Sequence, residues 1–286
     1  MITRLETKVF TWIDVQNPTP EEVVELQTEF KFDQTIAEEL AQNIERSKVR
    51  FFSTHTYVVL QFPTSEGVVM GGKKTEVDFI IGTTFLITVH FEKVGSVNDV
   101  ATNISEAKQL KTTRGLFFDI VYKQYRKIGR QLEDMDILIQ ETEQKIFGEK
   151  QNKTVEKISE VNQKILDFKR ALRFHKDIWH QLEANVLFRE NAELLHNEYQ
   201  KIWNALEHYQ EITLSLQGTN DSLIAYRTSD AMKALMVLNC IVLTISVIPT
   251  TLTLIESPQG QLLTIGGFAL ICILIYYAFK EKSSHR

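Results

Sequence analysis

The sequence Ala234-Leu-Met-Val-Leu-Asn-Cys-Ile-Val-Leu-Thr-Ile-Ser-Val-Ile-Pro-Thr-Thr-Leu-Thr-Leu-Ile255 carries no charged side chain, and a second uncharged run extends from Leu262 to Phe279. A helix needs about 20 predominantly apolar residues to cross the hydrocarbon core of a bilayer. Both runs are close to that length, so the sequence predicts two transmembrane helices, residues 234–255 and 262–279. A buried helical hairpin in a soluble protein is the alternative, but residues 270–279 have no polar face to turn toward water.

The charges that flank these two helices predict their orientation. The connection, residues 256–261, contains no Lys or Arg, whereas basic residues precede the first helix and follow the second: Arg227, Lys233, Lys280, Lys282 and Arg286. By the positive-inside rule both termini are cytoplasmic, residues 256–261 form an extracytoplasmic loop and residues 280–286 a basic cytoplasmic tail. The N-terminal region lacks the long apolar segment of a signal peptide. We therefore expect a multi-pass protein of the cell (inner) membrane with a large cytoplasmic domain.

The composition of the whole chain is that of a globular protein. Of its 286 residues, 43% are apolar and 24% charged, with a formal net charge of −5. These values exclude the disordered, collagen-like and disulfide-scaffold classes. Cys240 and Cys272 both fall within the predicted spans, where free thiols are expected.

Residues 1–115 are predicted to form an α/β sandwich domain. Stretches rich in β-branched and aromatic residues, typical of strands, occupy residues 8–15, 49–62 and 77–91. Glycine is common in turns because it adopts positive φ without strain. Gly71-Gly72 therefore predicts a turn between the last two stretches, and Gly82-Thr83 predicts a tight turn that divides residues 77–91 into a hairpin.

Helix signals begin at Thr19, which can cap a helix whose first position is Pro20, with Glu22 completing a capping box. From residue 116 the apolar residues follow a heptad spacing, which predicts a helical bundle and stalk over residues 116–233. A last helix that continued from about Ala192 to Ile255 would be roughly 95 Å long. The fold class is therefore α+β, with a cytoplasmic α/β sandwich, a long helical stalk and two C-terminal transmembrane helices.

Three segments of the chain match a known family: residues 12–22, Trp-Ile-Asp-Val-Gln-Asn-Pro-Thr-Pro-Glu-Glu, residues 77–90, and residues 231–235, Ala-Met-Lys-Ala-Leu. They resemble, in this order, the opening strand and capped helix, the hairpin and the segment before the pore helix of the CorA-type magnesium and divalent cation transporter family. The resemblance implies a funnel-shaped homopentamer in a lipid bilayer, with the first span of each subunit lining a central pore.

The chain departs from this family at its signature. Family members carry Gly-Met-Asn at the outer end of the first span, and this sequence has Thr253-Leu254-Ile255 there instead. In the family the Asn ring offers carbonyl oxygens to a hydrated cation, which suits Mg²⁺ because Mg²⁺ sheds water reluctantly. Ile255 has no such oxygen. The resemblance thus implies the architecture, with altered or relaxed selectivity.

One face of the first span has the spacing and polarity of a pore lining. Its residues step by three or four: Met232, Leu235, Asn239, Leu243, Ser246, Thr250 and Thr253. The polar members suit a hydrated cation such as Mg²⁺, Co²⁺, Ni²⁺ or Zn²⁺, and the apolar members could gate by dewetting. Alternatively, these hydroxyl and amide groups bond to neighbouring helices or to their own backbone. Glu256 of each subunit either contributes to a ring of carboxylates at the pore mouth or is a solvated loop residue.

We find no enzymatic motif: no phosphate-binding glycine loop, paired cysteines, zinc-protease helix or nucleophile elbow. We therefore expect neither catalysis nor a cofactor, with Mg²⁺, Co²⁺, Ni²⁺ or Zn²⁺ as transported or regulatory ions, and no nucleic-acid partner. The seven histidines are scattered, His175 and His180 are too poorly spaced for two ligands on one helix face, and we assign no metal ligands. Two functions remain. One is a CorA-like homopentameric channel for divalent cations, and the alternative is a membrane-anchored interaction or regulatory protein on the CorA scaffold that has lost selective transport.

Overall fold

The structure is a computed structural model that describes residues 2–40, 47–64, 74–92, 94, 97, 100, 112–146 and 151–254. The chain divides into two compact units, Met1–Gln217 and Gly218–Arg286. The described strands are β1 (Ile2–Glu6), β2 (Thr11–Gln16), β3 (Lys48–Phe51), β4 (His55–Pro63), β5 (Lys74–Gly82) and β6 (Phe85–His90). The described helices are α1 (Pro20–Phe30), α2 (Gln34–Leu40), α3 (Thr113–Ile146), α4 (Gln151–Leu172), α5 (His175–Ala184) and α6 (Arg189–Leu254).

The six strands form one sheet in the order β1-β2-β6-β5-β4-β3. Every neighbouring pair is antiparallel except β2 and β6, which run parallel with Thr11 opposite Phe85. The predicted hairpin at Gly82-Thr83 is confirmed, since β5 ends at Gly82 and β6 begins at Phe85. The predicted stretch 49–62 is instead two strands, because the chain turns where the Phe52 amide bonds to the His55 carbonyl.

Helices α1 and α2 cover one face of the sheet. Their buried side chains, together with Phe32 from the connection between them, join inward-facing strand residues in one apolar core: Ile13, Val15, Val23, Leu26, Phe32, Ile36, Leu40, Tyr57, Val59, Ile80, Ile87 and Val89. The predicted capping box of α1 is confirmed, with the Glu22 amide donating to Thr19 and the Thr19 amide donating to the Glu22 carboxylate. The helix ends at Lys31, which adopts the left-handed conformation with φ of 51°.

The other face of the sheet packs against the long helices. Helix α3 contacts β5 and β6, and α4 contacts β4. Phe79 of β5 meets Phe117 of α3 edge-on, with ring centroids 4.9 Å apart. Since helices lie on both faces, the predicted α/β sandwich is confirmed.

The heptad spacing predicted from residue 116 onward crosses a break. Helix α4 ends at Leu172 and α5 begins at His175, so the two turn residues Arg173 and Phe174 interrupt the spacing. Phe168 and Leu172 before the break and Trp179 and Leu182 after it are buried, whereas Val186, beyond the end of α5, is 79% exposed. The predicted long last helix is confirmed as α6, which has 66 residues. The predicted turn at Gly71-Gly72 and residues 255–286, with the predicted loop 256–261, second transmembrane helix 262–279 and basic tail 280–286, lie outside the described residues.

Candidate functional site

The residues predicted to line a pore lie on the C-terminal part of α6. Met232, Leu235, Asn239 and Leu243 are all exposed and, at steps of three and four along a continuous helix, occupy one face. The same helix carries Ser246, Thr250 and Thr253, and it ends at Leu254. The side chains of Ser246, Thr250, Thr253 and Leu254, together with those of Ile255 and Glu256, are not among the described ones. The helical backbone that the shared face requires is therefore present as far as Leu254.

This segment of α6 also exposes apolar side chains on all its sides. Four consecutive residues and three further ones are between 42% and 66% exposed: Leu235, Met236, Val237, Leu238, Ile241, Val242 and Leu243. An apolar surface that surrounds a helix is unfavourable in water and is typical of segments covered by lipid or by other protein. Within the described residues, no helix combines the length and apolarity that a membrane crossing requires.

Hydroxyl groups elsewhere on α6 bond to their own helix. Ser222 Oγ donates to the Gly218 carbonyl at 2.9 Å, and Thr228 Oγ1 donates to the Ile224 carbonyl at 2.8 Å. Such bonds satisfy a hydroxyl donor without a partner helix while leaving oxygen lone pairs free to accept. A hydroxyl in this arrangement can still receive a hydrogen bond from a water molecule.

Two buried polar groups inside the sheet domain serve its structure. The Tyr57 hydroxyl donates to Asp78 Oδ1 at 2.9 Å. The pKa of the Asp78 carboxyl is raised, mainly because the group is buried and also because the negative charge of Glu76 is close to it. On the opposite face, Thr88 Oγ1 donates to Asp14 at 2.6 Å. Tyr57, Asp78 and Thr88 are at most 1% exposed, so a substrate cannot approach them.

A third polar group, at the hairpin of α5 and α6, does reach the surface. His180, Glu183 and His196 each place one potential ligand atom within 4.8 Å of the others. This cluster was not predicted from the sequence, because its third member, His196, lies on a different helix from His180 and Glu183. The signal available in the sequence was His180 and Glu183 three residues apart, followed by a histidine two turns into the next helix.

The comparisons with known proteins agree with this architecture. The family model described as CorA-like Mg²⁺ transporter protein matches residues 7–255. The cobalt/magnesium transport protein CorA of Methanocaldococcus jannaschii is 22% identical over 95% of this chain and 90% of its own length. Its complete structure superposes with a TM-score of 0.73, at 21% identity over 94% of this chain and 90% of that chain. The full-length structure of CmaX superposes with a TM-score of 0.78, at 14% identity over 95% of this chain and 88% of that chain.

Because the family model covers most of its length, this chain belongs to the CorA family. The match ends at Ile255, so it includes all seven residues of the predicted pore face and the Thr253-Leu254-Ile255 segment.

Proposed function

We propose that this chain conducts divalent metal cations across the cell membrane as a CorA-type homopentamer. The observation that carries the proposal is the family match, which extends through the whole of the polar-faced helix. The cobalt/magnesium transport protein of M. jannaschii is similar over 95% of the chain, which supports a cation of this class as the substrate.

The proposed channel crosses the membrane at residues 234–255 and 262–279, with both termini in the cytoplasm. The exposed apolar side chains between Leu235 and Leu243 support this placement, since lipid or neighbouring subunits would cover them. One pore-lining helix from each subunit encloses a path only within a closed ring, which supports a symmetric oligomer.

The cation passes along the polar face in hydrated form. Removing the inner water shell of Mg²⁺ is costly. The ion therefore passes more easily along hydroxyl and amide groups that bond to its waters than past ligands that must replace those waters. Asn239, Ser246, Thr250 and Thr253 supply such groups, while Met232, Leu235 and Leu243 form apolar rings that close the path by dewetting. Without an Asn at position 255, the mouth discriminates less among cations, and the Glu256 carboxylates attract them.

The test is flux of Mg²⁺, Co²⁺, Ni²⁺ and Zn²⁺ into proteoliposomes, reported by an enclosed fluorescent indicator. We expect flux in the wild type and its loss in the double variant Ser246→Leu, Thr250→Leu, which fills the polar face. The matched control is Thr244→Leu with Thr251→Leu, which also replaces two hydroxyl side chains by leucine but on the other side of the helix. Flux in the control and none in the first variant supports the pore face, whereas equal effects of both pairs contradict it.

The Thr253-Leu254-Ile255 segment also favours a second candidate function, a membrane-anchored interaction or regulatory protein that has lost selective transport. The same assay separates the two. An assembled wild-type oligomer that passes none of the four cations supports the regulatory function and contradicts the channel.

A further inference from the structure

The hairpin of α5 and α6 holds three metal-ligating side chains on a rigid support. His180 and Glu183 lie three residues apart on one face of α5, and His196 lies on α6 beyond the turn Asn185–Phe188. The turn is tied down by bonds from the Asn185 amide to the Leu182 carbonyl and from the Phe188 amide to the Asn185 carbonyl. Phe188 is buried and its ring contacts those of Phe51 and Phe118. The ligand positions are therefore held by packed elements on both sides.

The distances in the cluster are close to those of a metal site. Nδ1 of His196 lies 2.6 Å from Glu183 Oε1, and Nδ1 of His180 lies 3.4 Å from Glu183 Oε2. The two imidazole rings are 4.5 Å apart between centroids and nearly perpendicular. Tetrahedral ligands at 2.0–2.1 Å from a zinc ion are about 3.3 Å from one another. A cation could enter with shifts of less than roughly 1 Å at each ligand.

We propose that His180, Glu183 and His196 form a binding site for a divalent transition metal, namely Zn²⁺, Co²⁺ or Ni²⁺. Imidazole nitrogen is a preferred ligand for these ions, whereas Mg²⁺ prefers oxygen ligands in octahedral geometry. With three protein ligands, a four-coordinate ion has one further position for water. The site stands independently of the proposed transport, because it lies in the first unit and uses no residue of the pore face.

The side chain next to His196 can adapt to metal binding. Gln200 Nε2 lies 3.2 Å from His196 Nε2, so the amide donates to that nitrogen while His196 Nδ1–H donates to Glu183. When Nδ1 binds a cation, the proton resides on Nε2, and a rotation of the Gln200 amide presents its oxygen as the acceptor. Metal-bound histidines usually have such a partner for the second ring nitrogen.

The surroundings permit entry of a cation. The His180 side chain is 54% exposed and that of Glu183 is 24% exposed, while that of His196 is 8% exposed and forms the buried end of the site. Gln200 also lines a neighbouring cleft of about 590 Å³, whose charged lining residues are two acids and two bases: Asp177, Glu207, Arg173 and Lys176. Arg189 bonds to the backbone carbonyl of Glu183 through its Nε and leaves the carboxylate to the two histidines.

The test is titration of the full-length, chelator-stripped chain in detergent with Co²⁺, followed by visible absorption. A four-coordinate Co²⁺ absorbs far more strongly than the hydrated octahedral ion, so the site is distinguished from hydrated cations bound in a pore. We expect one four-coordinate Co²⁺ per wild-type chain, displaced by Zn²⁺ and unaffected by excess Mg²⁺.

The variants are His196→Ala, Glu183→Gln and His180→Ala, with His208→Ala, an exposed histidine elsewhere on α6, as the control. We expect loss of the signal in His196→Ala and Glu183→Gln. In His180→Ala, whose exposed side chain leaves no cavity, we expect affinity to fall by about 10-fold or more. A full signal in His180→Ala, an equal loss in His208→Ala, or displacement by equimolar Mg²⁺ overturns the proposal. Flux in proteoliposomes made with His180→Ala separates the site from transport, because transport should persist there.

Discussion

Acid should destabilise the folded chain through His175, which is fully buried between the sheet and the helices. The Trp179 indole donates to the Tyr125 hydroxyl at 2.9 Å, and that hydroxyl donates to His175 Nδ1 at 2.7 Å. Burial lowers the pKa of His175 to about 3. In the unfolded chain the ordinary value is about 6.5, so between these values the unfolded state binds more protons. The contribution of the neutral His175 ring to the free energy of unfolding is therefore complete above about pH 6.5 and is lost as the pH falls toward 3.

The size of this effect follows from the two pKa values. At pH 5 the unfolded histidine is almost fully protonated and the folded one is neutral, which costs about 2 kcal/mol of the free energy of unfolding relative to neutral pH. The measurement is urea unfolding of the purified chain in mild detergent, followed by tryptophan fluorescence, at about pH 7.5 and about pH 5. Trp179 reports on this cluster directly because it is part of it.

The variant His175→Asn keeps a hydrogen-bond acceptor for Tyr125 but has no titrating ring. We expect it to be less stable than the wild type at neutral pH, since it leaves a cavity, yet to lose about 2 kcal/mol less on acidification. The control His208→Asn removes an exposed histidine and should keep the wild-type pH dependence. The same loss on acidification in His175→Asn and the wild type would refute the reasoning.

Three further predictions concern single positions. Glu256→Gln should reduce cation flux at low ionic strength and have little effect at high salt, and an equal reduction at both would argue against a carboxylate ring at the mouth. Thr19→Ala should lower the free energy of unfolding by about 1 kcal/mol in urea, whereas Thr19→Ser should leave it nearly unchanged because it keeps the cap. Gly82→Ala would place a methyl group within 2.7 Å of the Phe85 ring and should cost about 1–3 kcal/mol. Gly129→Ala, in helix α3 with open space around it, should instead raise thermal stability, and a shared sign for the two would contradict this account.

Features that depend on neighbouring residues could be predicted from the sequence. The capping box of α1 and the turn after Gly82 each need only a few adjacent residues, and both are observed. The apolar seam of α6 from Leu195 to Leu216 was also predictable, because burial follows the helical period. The layered α/β domain and the long helix followed from these local signals.

Features that depend on residues distant in the sequence were missed. Strand β1 was not predicted, since Ile2–Glu6 alternates weakly and its pairing with β2 supplies its order. The parallel pairing of β2 with β6 has no local signal. His196 joins His180 and Glu183 only because the Asn185–Phe188 turn folds α6 back along α5. The residue spacing within a single helix carries no sign of that cluster.

The parallel pair β2 and β6 has a consequence for the order in which the chain can fold. The Trp12 indole and the Thr88 hydroxyl bond across strands although they are 76 positions apart in sequence. On the ribosome, at about 5–20 residues per second, β1 and β2 are synthesised several seconds before β6 exists to receive them. Strands β4, β5 and β6 pair through antiparallel neighbours that follow one another along the chain, so they can assemble first. The N-terminal strands would then dock onto a sheet whose β6 edge is left open for them.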